Sequence, residues 1–148
     1  MQTIHVVTRA ATRPGVAALA YTIHHPNGSM EHVTASLAGC VSRVEGALLS
    51  VTEALRAADP SVPTLLRIAS EGVYVVLSDA TPWKPATSAT IGTLEARTEL
   101  LEMVGTFHDL RVELLHQHAE EIAPLMREAE EEAEAAAAER MASLGLAA

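Results

Sequence analysis

With 148 residues the chain is long enough for one domain that buries roughly two-thirds of its unfolded surface, and 49% of it is hydrophobic, carried mainly by Ala, Val and Leu. A net charge of −9 repels phosphate backbones on average, so contact with nucleic acid needs a local basic patch or bound cations. One Trp, one Phe and two Tyr exclude an extensive base-stacking surface.

Ile4 to Thr8 are largely β-branched and predict a first strand, which Thr12-Arg13-Pro14-Gly15 ends with turn chemistry. Val16 to His24 predict a second strand. Pro26-Asn27-Gly28 is a hairpin signal, because Asn-Gly accepts the positive φ of a tight turn, and Met30 to Leu37 return as a third strand. A helix follows from Ser42 to just before Asp59-Pro60, with Val44, Leu48, Val51 and Leu55 recurring at three and four. Thr64 to Ala69 predict a buried fourth strand. Glu71 to Asp79 stay open: Val73-Tyr74-Val75-Val76-Leu77 have strand propensity, while the order of elements favours a short helix.

Thr81 to Ala89, with Pro82 and Pro85, read as a loop. Thr90 to about Phe107 read as a helix with Ile91, Leu94, Leu101 and Val104 on one side, and Arg111 to Leu115 as a fifth strand. A long acidic helix from about 123 to 144 closes the chain, with Pro124 in its first turn and Leu125, Met126, Ala129, Ala133 and Ala136 as its apolar side. The expectation is one α/β domain over 1–148: a five-stranded mixed sheet, three antiparallel strands first, with helices on both faces.

Cys40 stands alone, which excludes an intrachain disulfide and a cysteine zinc site and fits a reducing cytoplasm. Met1-Gln2-Thr3-Ile4-His5 lack the charged and apolar regions of a secretory signal. No apolar run approaches the roughly 20 residues that span a bilayer. A soluble cytoplasmic protein without a membrane partner is expected.

Thr8-Arg9-Ala10-Ala11 with Pro14-Gly15, Leu48 to Leu55, Ser70-Glu71-Gly72-Val73-Tyr74-Val75, and Val112 to His118 followed by Glu128 stand in this order along the chain. In that order they resemble the type 1 ribonuclease H family over nearly the whole length. The resemblance implies a ribonuclease H-like fold and a site of four carboxylates around Mg²⁺ or Mn²⁺. It puts Arg9 where the family carries its first Asp and Ala47 where it carries the helix Glu. Glu71 falls at the third acid and Glu128 at the fourth, with His118 at the histidine thought to assist proton transfer or product release. Two-metal hydrolysis needs carboxylates bridging cations roughly 4 Å apart, and an arginine among them repels metal and can pair with Glu71 or Glu128 instead.

Two functions of different class follow. The first is a non-catalytic binding or assembly module, whose partner is an RNA–DNA hybrid or other nucleic acid met by arginines, or a protein met by the terminal helix and a sheet edge. The acidic charge favours protein contact, self-association as a homodimer included. The second is an active metal-dependent ribonuclease H-type hydrolase, with Glu71, Glu128 and Glu45 holding Mg²⁺ or Mn²⁺ and His118 moving the proton.

Each residue also has a plainer reading. Glu45 completes a capping box with Ser42, Glu71 is a solvated turn residue or the partner of Arg9, and Glu128 belongs to a wet acidic face. His116 and His118 with Glu120 or Glu121 offer an unrelated metal site, or a chance pair among seven histidines. His24, His25 and His32 read as sheet-edge residues. Trp83-Lys84-Pro85 read as an exposed aromatic contact or a loop anchor.

Overall fold

A computed structural model describes residues 1–11, 16–37, 42–78 and 91–145. Five strands, β1 (Gln2–Ala10), β2 (Ala17–His24), β3 (Met30–Leu37), β4 (Thr64–Ile68) and β5 (Leu110–Leu114), form one sheet in the order β3-β2-β1-β4-β5. The first three are antiparallel; β4 runs parallel to β1 and β5 parallel to β4. The helices are α1 (Arg43–Ala57), α2 (Glu71–Ser78), α3 (Ile91–Gly105) and α4 (Ala123–Ser143), the last preceded by a 3-10 turn at Glu120–Ile122. The expected mixed sheet with three antiparallel strands first is the observed one.

The hairpin between β2 and β3 turns on Gly28, whose φ of +89° suits a residue without Cβ, while Asn27 Oδ1 accepts from the Ser29 N–H at 2.9 Å. Ser42 caps α1 by accepting from the Glu45 N–H at 3.1 Å. Of the segment 71–79, for which the sequence leaves strand and helix both open, Glu71–Ser78 is helical and Asp79 lies outside the described residues: Ser70 Oγ accepts from the Val73 N–H, and Tyr74 N–H donates back to Ser70 C=O, which starts α2. Tertiary context overrides β propensity there, because the parallel β4–β5 pair requires a crossover and Val73 buries completely against the core.

Alternation along β1 sends Ile4 and Val6 to one face and Val7 to the other. On the first face Ile4, Val6, Leu19, Ile23, Leu66 and Ile68 meet Leu48, Val51 and Leu55 of α1, with Ala96 and Leu100 of α3 packed behind. On the second face Val7 and Ala20 meet Ile122, Leu125 and Ala129. Helices thus lie on both sides of the sheet.

Three predicted apolar stripes shift by a residue or so. Val44 is exposed because it precedes the point where α1 reaches the sheet. In α3 the buried side runs through Thr93, Ala96 and Leu100, and Leu94, Leu101 and Val104 flank it half-buried, because this helix packs on α1 rather than on the sheet. In α4 the buried stripe is Leu125, Ala129, Ala133 and Ala137, an i, i+4 row whose three alanines let the helix lie close to β1, β2 and β3, with Ala136 beside it. The 3-10 turn was hidden in the sequence because Glu120 and Glu121 continue the acidic pattern of the helix.

The Thr12–Gly15 turn, Cys40, and the loop with Trp83-Lys84-Pro85 lie outside the described residues. Among the described residues no helix is long and apolar enough to cross a membrane.

Leu48 is 1% exposed and Val75 57%. Leu48→Ala is expected to lower unfolding stability by about 2–5 kcal/mol, and Val75→Ala by no more than about 0.5 kcal/mol, measured by urea denaturation.

Candidate functional site

The β1–β4 ladder ends at Val6 opposite Ile68, so Thr8, Arg9 and Ala10 run on past their parallel neighbour. At such a carboxyl-end crevice an open α/β sheet presents its ligand site. Here it opens into a cleft of about 640 Å³. Thr8, Arg9 and Ala10 of β1 form its floor with Ala17 of β2, and Ser42, Arg43, Gly46 and Ala47 of α1 form one wall. Ala69 and Ser70 after β4, Gln117 after β5, and Met126, Glu130 and Glu134 of α4 complete it. The helix α1 approaches closely at Gly46, where a Cβ would meet Thr8 Cγ2 at 3.5 Å and Ala17 Cβ at 3.7 Å.

Arg9 and Ala47, the two positions where the resemblance implies acids, therefore share this cleft. Arg9 is half-buried and makes no hydrogen bond or ion pair with any described residue, so of the two pairs open to it in the sequence neither Arg9–Glu71 nor Arg9–Glu128 forms. Arg43, at the first helical position of α1, is exposed and likewise has no described partner.

The three glutamates expected to hold metal are not brought together. Glu71 is exposed in the first turn of α2, and it is Ser70 beside it that reaches the cleft. Glu45 is buried in the first turn of α1, where its N–H is held by Ser42, and is not part of the cleft wall. Glu128 faces the sheet edge: its Oε2 meets His32 Nε2 at 2.5 Å and Thr34 Oγ1 at 3.5 Å, both on β3. The reason is helical geometry, since residues two apart point about 200° from one another, so Glu128 and Glu130 flank opposite sides of the alanine stripe. Glu130 and Glu134, which in the sequence belong to the same wet acidic run as Glu128, are the α4 acids on the cleft side. Their i, i+4, i+8 spacing from Met126 was the available signal.

His118 is exposed; its N–H donates to His116 Nδ1 at 3.1 Å and the two rings lie 5.3 Å apart, while Gln117 between them lines the cleft. Among the described residues no three of His, Cys, Asp or Glu converge in a metal-holding arrangement. Among the described residues the cleft lining offers two carboxylates on one helix together with a guanidinium, which does not fit the four-carboxylate metal site that the resemblance implies.

This architecture has solved counterparts. At a TM-score of 0.68 it matches the N-terminal RNase H domain of a Mycobacterium tuberculosis protein, solved as a fusion with maltose-binding protein, over 94% of this chain and 96% of that one at 15% identity. The chain has a ribonuclease H-like fold. LC11-RNase H1, solved in complex with an RNA/DNA hybrid, gives 0.65 over 93% of this chain and 99% of that one at 16% identity. RNase H1 from the halophilic archaeon Halobacterium salinarum gives 0.60 over 78% and 86% at 19% identity. No family model and no curated protein matches the sequence.

Outside the cleft, strand register sets a polar row across the sheet face that α4 leaves partly open: His32, Thr22, His5, Arg67 and Glu113 stand side by side on the five strands. Arg67 Nη1 lies 3.0 Å from His5 Nε2, and because arginine only donates, this His5 nitrogen accepts and the ring is neutral. Arg67 Nη2 also meets Glu113 at 3.4 Å, and the His24 ring stands edge-on to His5 at 5.8 Å. Burial, then Arg67 and His24, hold the His5 imidazole below its ordinary 6.5, against the weaker opposing pull of Glu121 and Glu113. The folded chain therefore resists a proton that the unfolded chain accepts at 6.5. Above that value there is no penalty; stability falls as pH drops from about 6.5 towards the lower folded-state value, then levels. Urea midpoints between pH 7.5 and 5 should show this decline, and His5→Gln should remove its share of it.

Proposed function

We propose that this chain is a ribonuclease H-like binding module that holds the phosphate backbone of a nucleic acid in the cleft without hydrolysing it. One observation carries the reading: the cleft contains the Arg9 guanidinium, with no described carboxylate paired to it, where a metal-dependent site needs converging anions. A divalent ion about 5 Å from that guanidinium is opposed by roughly 7 kcal/mol at an effective dielectric of 20. A phosphate is attracted by the same charge. The net charge of −9 favours protein contact on average-field grounds, yet Arg9 and Arg43 lining one cleft make a local exception. The hybrid bound to LC11-RNase H1 supports an RNA–DNA hybrid as the first ligand to try.

The test is a labelled RNA–DNA hybrid titrated with the protein in EDTA and then incubated in Mg²⁺ or Mn²⁺. Salt-sensitive binding and an uncut hybrid are expected. Metal-dependent cutting by the wild type that disappears in Glu130→Gln or Glu71→Gln overturns the proposal.

A second reading, an active hydrolase with rearranged carboxylates, draws support from Glu130 and Glu134 lining the cleft beside Ser70. In that case Mn²⁺ calorimetry gives a binding isotherm that Glu130→Gln abolishes. Self-association is a further role for the same module. Its support is the edge strand β3, which exposes Met30 and Val33, and light scattering of a strict monomer at high concentration removes it.

A further inference from the structure

We infer that Arg9 is a built-in cation that anchors a single phosphate group directly in the cleft, so that ligand binding there is independent of divalent metal; this rests on the nucleic-acid reading above. Alternation along β1 puts Arg9 on the same sheet face as Val7, which packs against Leu125 and Ala129 of α4. Thr8, the intervening residue, faces α1 and lies under Gly46. The guanidinium is thus directed to the α4 side of the cleft, the side walled by Met126, Glu130 and Glu134.

A half-buried guanidinium keeps five N–H donors, and none of them is used by a described residue. None of its nitrogens is buried away from solvent, so the planar fork stays open to the cleft, where it matches two oxygens of one phosphate. Arg43 adds a second cation from the first turn of α1, where the N-terminal end of the helix dipole also favours an anion.

The acid wall of α4 sets the extent of the site. Glu130 on that wall repels a polyanion running along it, which favours one phosphate at Arg9 over a track of them. The geometry therefore describes a one-point grip on a polyanion, unlike the many-lysine footprint of a general nucleic-acid binder.

The experiment is fluorescence anisotropy of a short labelled RNA–DNA hybrid over a salt series, in EDTA and in Mg²⁺, with wild type, Arg9→Ala, Arg9→Lys and the exposed β5 variant Arg111→Ala. Wild-type affinity should agree within about twofold between the two media. Arg9→Ala should weaken binding on the order of tenfold or more and reduce the salt slope by about 0.9, the value for one phosphate. Arg9→Lys should keep the slope and lose part of the affinity, and Arg111→Ala should stay within about twofold. Matched urea midpoints establish that the variants fold; if Arg9→Ala does not, Arg9→Gln carries the same comparison. Metal-independent binding that Arg9→Ala leaves intact overturns the Arg9 assignment while hybrid binding itself stands, and binding that requires Mg²⁺ overturns both the assignment and the metal-free reading of the cleft. No binding by wild type in either medium removes both.

Discussion

Burial on both faces of β1 is the constraint from which the site is built. Ile4, Val6 and Thr8 face α1, and Val7 faces α4, so the register of the strand is held from two sides at once. A slip of one residue would put Val7 under α1 and carry Val6 to α4, exchanging the contents of both cores. With that register held, residue 9 has no choice of face: its side chain enters the cleft between the strand end and α4. The chemistry of the cleft is thereby decided by which amino acid occupies one position on a strand that packing has already fixed.

Helix α4 supplies the opposite wall by an equally simple rule. Its alanines at 129, 133 and 137 bring the backbone close to the sheet, and the acids then fall to either side of that row. Those at 130 and 134 border the cleft, whereas Glu128 reaches β3 and is taken up by His32 and Thr34. That exposed pair contributes little stability, but it fixes which way the carboxylate points. Small residues in the stripe give close approach; long acids beside it give the charge. The division is a consequence of 3.6 residues per turn.

These two rules also mark what could be read from the sequence. The β1 alternation, the Asn27-Gly28 turn and the Ser42 cap are local signals, each tied to a backbone hydrogen bond or a φ angle, and they survive folding unchanged. The order of strands and helices follows from them, so the architecture was legible. The segment 71–78 was not, because its β-branched residues and its topological task disagree, and the need for a crossover between parallel strands prevailed. The acid facing the cleft was not legible either. Counting along the chain from His118 treats α4 as a line, while the side on which an acid emerges depends on the angle of the helix about its axis, and that angle is set by the alanines against β1 and β2.

An arginine at a strand end that faces a crevice is a local expense in a fold of this kind. Half-burial removes part of its hydration, and no described side chain returns those hydrogen bonds. A chain under selection for stability alone could replace it by a small residue such as the neighbouring Ala10 and Ala11. Glu130 lines the same cleft from α4, and Arg9 closes no ion pair with it. A guanidinium with no described carboxylate partner stays available, whereas a tight bidentate pair would have satisfied and silenced it. Availability of the charge, rather than its presence, is the property that the packing of β1 and α4 produces.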